Sequence, residues 1–96
     1  MKSVKFTKQW YKDLKKVIKY PEYKEKKLNI FIDMLATGDP LPPNAHDHAL
    51  ASNSAFKGIR NFHLAPNLCV LYKLSNDEII LYRIGKHNNL SLTETY

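Results

Sequence analysis

Three histidines and an arginine occupy places that a small domain would more easily give to apolar packing. His63 and Arg83 fall inside segments that read as β-strands, His87 closes the last of these, and His48 sits in a long preceding loop. An imidazole ordinarily titrates near pH 6.5, which suits His63 and His87 to giving or taking a proton near neutrality. A guanidinium such as Arg83 grips a phosphate through two parallel N–H donors. Lys57 and Arg60 add positive charge beside His63, and Phe56 and Tyr72 offer rings on which a base could stack. One reaction matches this inventory closely: metal-free cleavage of RNA, in which its own 2′-hydroxyl attacks the adjacent phosphate. A base takes the hydroxyl proton, an acid protonates the leaving 5′-oxygen, and fixed positive charge steadies the transition state. No nucleophilic side chain is required and none is evident, since Cys69 reads as core packing.

Plainer readings stand beside this one. A strand histidine can be half-exposed with a backbone partner, and Arg83 can simply pair with a carboxylate. The His46-Asp47-His48 run with His63 and His87 could hold zinc, but it lacks the ligand spacing of strong zinc sites and no cysteine joins it. On the residues alone, the reading ends at a basic α+β domain with an RNA- or phosphate-binding face.

The elements that must position these groups follow from pattern. Residues 4–6 make a short strand candidate, and Thr7 can cap a helix. Trp10, Leu14, Val17 and Ile18 then form one apolar stripe among lysines. Pro21 stops this helix and can open the next, in which Leu28, Phe31, Ile32 and Leu35 make the stripe, widened by Ile30 and Met34. Gly38 and Pro40 end it. Residues 38–55 read as a loop, rich in proline and small polar residues. Strands are expected over 59–65, 68–75 and 78–84, with turns at Pro66-Asn67 and Asn76-Asp77. The fold class is α+β: two N-terminal helices on one face of a mostly antiparallel sheet of about four strands. If both turns are two-residue hairpin loops, His63, Val70 and Arg83 share a row on the face the helices leave open. Phe62, Leu64, Cys69, Leu71, Ile80, Tyr82 and Ile84 then face the helices. A bulge near Pro66 would invert the second strand relative to the first.

Ninety-six residues support one domain, taken as 1–96. A hydrophobic content of 44% with 25% charged residues is that of an ordinary globular chain. The single cysteine excludes an internal disulfide, and no apolar run has the length of a signal peptide or membrane span. A soluble, cytoplasmic protein is therefore expected. The formal charge of +6 is uneven: residues 1–27 carry a net +7 from ten lysines, and the remainder a net −1. Such a basic half points to a polyanion or an acidic protein partner, although a solvated helix face explains the lysines as well.

A set of motifs adds to this reading. Asp47-His48-Ala49-Leu50 is followed by Phe56-Lys57-Gly58-Ile59-Arg60-Asn61-Phe62-His63-Leu64-Ala65-Pro66. Leu71-Tyr72 follows in an altered L-x-Y element, and Arg83-Ile84-Gly85-Lys86-His87 closes the set. In order and spacing these resemble the YafQ branch of the RelE/ParE superfamily of bacterial type II toxins, over nearly the whole chain. The resemblance implies the small RelE-like fold and a ribosome-dependent mRNA endonuclease that stops translation, with no metal or other cofactor. It implies a cognate acidic antitoxin of the RelB/DinJ kind, and contact with operator DNA only through the antitoxin complex. By motif position, His48, His63 and His87 would be the acid–base group, with His87 favoured as the acid. Arg83 would stabilise the phosphate, and Lys57 and Arg60 would bind RNA or the ribosome. The branch usually has aspartate where Asn67 stands; an amide keeps the shape but cannot charge-stabilise an imidazolium as well. The tail also lacks the aromatic that often follows the last motif, with Leu90 and Ser91 there and Tyr96 at the end. Two other functions are weighed: a ParE-like toxin that poisons DNA gyrase without nuclease activity, and a catalytically weak RNA-binding member. The histidine set favours the nuclease, because a gyrase poison has no need of imidazoles.

Overall fold

The computed structural model describes residues 2–49 and 58–86. In chain order these form β1 (Ser3–Phe6), α1 (Lys8–Val17), α2 (Glu25–Thr37), a 3-10 turn (Pro43–Ala45), β2 (His48–Ala49), β3 (Arg60–Ala65), β4 (Leu68–Leu74) and β5 (Glu78–Lys86). The sheet has five strands in the order β1-β5-β4-β3-β2. It is mixed rather than four-stranded, because β1 lies parallel to β5 and the two-residue β2 adds an edge to β3. No helix among the described residues is long and apolar enough to cross a membrane.

Thr7 caps α1 as its sequence position suggests. Its hydroxyl accepts from the Trp10 N–H at 3.0 Å and donates to the Tyr82 carbonyl at 2.8 Å, tying the helix start to β5. The buried stripe differs from the apolar pattern. Trp10 and Val17 are buried, but Ile18 is exposed and the third buried position belongs to Asp13. α2 begins at Glu25, so Pro21 lies in the turn between the helices and does not open the second. Leu28, Phe31, Ile32 and Leu35 are buried as expected, with Ala36, whereas Ile30 is exposed. Gly38 ends α2 at φ 85°, where a side chain would be strained. Its N–H and that of Asp39 reach back to Leu35 and Met34.

Both helices feed one core with Phe62, Leu64, Leu68, Val70, Tyr72, Ile79, Leu81 and Ile84. Cys69 and Leu71 form a second buried cluster with Ile59 and Tyr82. This corrects the expected parity, and two bulges are the cause. Ala65 pairs with Leu68 as a two-residue turn requires, but the register shifts between His63 and Ala65, so Leu64 is the extra residue. His63 therefore faces Cys69, and Val70 turns into the core opposite Phe62. A second shift between Leu71 and Tyr72 makes Tyr82 the extra residue of β5 and sets Arg83 opposite Leu71. The two inversions cancel between the outer strands. His63 and Arg83 still share a face, yet in different rows: His63 with Cys69 and Gly85, Arg83 with Leu71, Asn61 and His48.

β1 pairs with β5 only as far as Leu81, and α1 runs along the edge left open beyond it. There the Asp13 carboxylate takes the place of a ladder strand. It accepts the Ile84 N–H at 3.2 Å, the Arg83 Nε and Nη2 donors at 3.0 Å each, and the Gln9 amide at 3.0 Å. Burial alone would raise the Asp13 carboxyl; the bonds from Arg83, Gln9 and Ile84, with the Arg83 charge, outweigh it and hold the group below its ordinary value.

Replacing Asp13 with Asn should destabilise the fold by about 2 kcal/mol, below the range for fully buried pairs because Arg83 keeps some solvent. A carboxyl with a depressed native pKa contributes its stability above its unfolded pKa and loses it as pH falls through the native one. The gap between wild type and variant should therefore be constant near neutrality and shrink below about pH 4. Urea unfolding of both proteins across pH 2.5–7, as roughly that window, measures it.

Candidate functional site

Of the candidate site residues, His48, Arg60 and His63 lie at the corner of β2 and β3. Two prolines set it up. Pro42 leads into the 3-10 turn with Pro43 at its start, the Ala45 N–H bonds the Pro42 carbonyl at 2.9 Å, and the buried Ala45 anchors the turn to the core. His46 ends the turn at φ 50°, the one non-glycine residue in the left-handed region among those described. Its carbonyl is thereby turned toward the His48 ring, whose Nδ1 lies 2.5 Å away. A carbonyl oxygen only accepts, so Nδ1 carries the hydrogen, and in the neutral ring the lone pair is on Nε2. The His46 ring meets the His63 ring edge-on, with centroids 5.7 Å apart. Because His48 pairs with Asn61, His48 and His63 are diagonal neighbours on one face, roughly 7–8 Å apart.

Asp47, between the two histidines of the loop, turns the other way. It accepts the Tyr72 hydroxyl at 2.5 Å and the Arg60 Nε at 3.4 Å, and Arg60 also donates to the Tyr72 oxygen at 3.2 Å. Tyr72 is fully buried and packs on Phe62, so it cannot be the stacking platform the sequence suggested. Burial, then its bond to Asp47, raises its phenol far above the ordinary value, so it stays a neutral donor. Its role is to fasten the β2 loop to the sheet. Arg60 is partly committed to the same cluster, with about a third of its side chain (35%) exposed.

Arg83 lies two strands from β3, about 10 Å across the sheet. It pairs with a carboxylate, as the plainer reading of its sequence position allowed, by forking onto Asp13. That bond consumes two of its five N–H donors and leaves three. Asn67, at the β3–β4 turn, donates to Glu22 at 3.3 Å. Cys69 is fully buried, and burial pushes its thiol up to about 11, so packing is its role, although on the face away from the main core. Phe56, Lys57 and His87 lie outside the described residues. Among those described, no group of three or more His, Cys, Asp or Glu side chains is placed to hold a metal.

Four polar residues of this region lie outside the acid–base and RNA-binding set that the sequence suggests. Asp13 had a signal, since its spacing from Trp10 and Val17 puts it on the buried stripe. His46 had only its neighbourhood to His48. Lys27 is one of many lysines. Asn61 is buried between His48 and Leu71, with its side chain beside the Cys69 thiol, and nothing in its sequence context foretells that burial.

Two helices on a five-stranded mixed sheet thus carry imidazoles at the sheet's β2 corner. A family model described as the bacterial toxin of type II toxin–antitoxin systems, YafQ, matches residues 2–92. The chain belongs to that family. Solved structures agree. A copper-bound mutant toxin from Helicobacter pylori is 31% identical, over 94% of this chain and 99% of that one, with a TM-score of 0.83. YafQ from E. coli strain BL21(DE3) is 27% identical over 94% and 98%, with a TM-score of 0.79. The toxin chain of the E. coli DinJ-YafQ toxin–antitoxin complex is 28% identical over 93% and 96%, with a TM-score of 0.77. A comparison with curated proteins finds no match.

Tyr72→Phe removes the hydroxyl that holds Asp47 and leaves a half-buried carboxylate one donor short. A loss of about 1–2 kcal/mol in stability is expected, and Asp47→Asn with Tyr72→Phe should cost less than the two single changes summed. A double-mutant cycle by denaturant unfolding checks the coupling.

Proposed function

We propose that this YafQ-family toxin is a ribosome-dependent mRNA endonuclease working by attack of the substrate's own 2′-hydroxyl. The observation that carries the reading is the tautomer of His48. With Nδ1–H bonded to the His46 carbonyl, Nε2 is the basic nitrogen, on the same face as His63. His48 takes the 2′-hydroxyl proton as the oxygen attacks phosphorus. The bond from phosphorus to the 5′-oxygen breaks, and that oxygen takes a proton from a second imidazole, with His87 favoured and His63 the alternative. The products are a 2′,3′-cyclic phosphate and a 5′-hydroxyl, so no water, metal or covalent enzyme intermediate enters the step. The three N–H donors that Arg83 keeps after binding Asp13 suit the charge developing on the phosphate, and Asp13 steadies the fork that bears them. Asn67 supports the site by hydrogen bonding alone. Lys57, Arg60 and Phe56 contact RNA or the ribosome.

The net +7 of residues 1–27 suits an acidic antitoxin of the DinJ kind, the partner with which the E. coli relative crystallised. Such a complex would bring the toxin to operator DNA. The charge-driven part of that contact should weaken with added salt.

Expression of wild type in a bacterial host should arrest growth and produce discrete breaks in translated messages by primer extension. His48→Ala and His63→Ala should each reduce cleavage by about 10²–10⁴-fold. Growth arrest by the wild type with intact messages would overturn the nuclease reading, and accompanying DNA damage would point to gyrase instead.

A further inference from the structure

Beside His63 lies an open hollow that the reaction above does not use. It is lined by Lys27 of α2, Asn44 and His46 of the 3-10 turn region, and the β3 end from His63 to Pro66, with a volume of ≈ 420 Å3. That is within the usual size of small-ligand sites, about 300–1,000 Å3. Its chemistry is one-sided. Lys27 brings an ammonium, Asn44 a carboxamide and His46 an imidazole, and no carboxylate is among the lining residues. The hollow is also built rather than incidental. The Lys27 ammonium is held 5.5 Å above the Phe31 ring, which itself stands edge-on to Phe62 of β3, so the charge has a defined place. His46 is kept in a left-handed backbone conformation with its ring against His63. Ala65 and Pro66 complete an apolar wall next to the donors.

We propose that this hollow is a subsite for a phosphodiester flanking the cleaved one, on the same RNA strand. Lys27 supplies the point charge. Asn44 and His46 donate hydrogen bonds to the phosphate oxygens, and the Ala65-Pro66 wall carries the adjoining ribose. His63 is shared between the two places, so a strand seated in the hollow is brought to the acid–base corner in register. The surface favours RNA over an acidic protein segment because the donors are confined to a pocket and continuous with the imidazoles. The inference rests on the nuclease reading for the identity of the strand, not for the binding of its phosphate.

The test uses ribosomes programmed with synthetic mRNAs in which one linkage at a time around the cleaved position is a neutral methylphosphonate. Lys27→Met removes the charge but keeps the stem over Phe31, and His46→Asn removes the ring but keeps a residue tolerant of left-handed backbone. On unmodified RNA, Lys27→Met should raise KM about tenfold with kcat little changed, the size of one charge-assisted hydrogen bond. Lys27→Arg should restore it, and His46→Asn should raise KM by a smaller factor. One flanking methylphosphonate should weaken the wild type by a similar factor and leave Lys27→Met unaffected. Equal losses in both proteins, or an unchanged KM for Lys27→Met, would overturn the subsite. So would weakened antitoxin binding with cleavage kinetics intact, which would assign the hollow to the protein partner. The same comparison of binding, with a 2′-deoxy nucleotide at the cleaved position, reads affinity without chemistry. Coupling of Lys27 to one linkage without any wild-type cleavage would sink the nuclease and keep the subsite; cleavage without coupling would do the reverse.

Discussion

The Asp13 carboxylate is the point on which the rest of the molecule turns. β5 is a central strand only along half its length, because β1 stops at Phe6 opposite Leu81. Past that point the strand would present unpaired backbone to the flank of α1. Asp13 resolves this by accepting the Ile84 N–H as a neighbouring strand would, while the Arg83 fork balances its charge. A buried carboxylate without those donors would be strongly destabilising. One side chain thus docks the helix, completes the edge of the sheet and sets the direction of the only arginine on β5. The group proposed to meet the phosphate is held by the same contact that holds the fold.

At the other side of the sheet the logic repeats with different chemistry. The edge of β3 is covered by β2, of which the described residues are His48 and Ala49, and two paired residues do little to hold an edge by themselves. Asp47 supplies what pairing lacks, bound to the Tyr72 hydroxyl inside the core. Successive residues of a strand point to opposite faces, so anchoring Asp47 inward necessarily turns His48 outward, beside Asn61 and His63. Burial of a tyrosine that resembled a base-stacking ring is therefore what presents the imidazole. The left-handed residue before it completes the arrangement by aiming a carbonyl at His48 Nδ1.

Basic residues are divided between these tasks. Arg83 and Arg60 are each partly neutralised by an acid on a neighbouring element, which limits their mobility and fixes where the remaining N–H donors point. The N-terminal lysines are mostly exposed. A domain of this size can thereby carry a strong positive field without leaving unpaired guanidinium groups inside it.

Much was legible in the residues themselves. Helix caps at Thr7 and Gly38, the stripe of α2 and the turn at Pro66-Asn67 follow from local chemistry, in which a side chain acts on backbone within a few positions. The spacing of the Asp47-His48, His63 and Arg83 motifs was enough to reach the family. The face of each strand was a different matter. A bulge adds one residue to one strand, and which residue is added depends on hydrogen bonds and packing contributed by another part of the chain. Leu64 and Tyr82 carry no local mark of it. The spacing of Asp13 places it on the buried stripe of α1, but its partners, Arg83 and Ile84, are some seventy positions away (|i−j| = 70 and 71) and have no local mark in the sequence. Local propensity is written residue by residue, whereas parity and long-range ion pairs exist only once the strands and helices have been brought together.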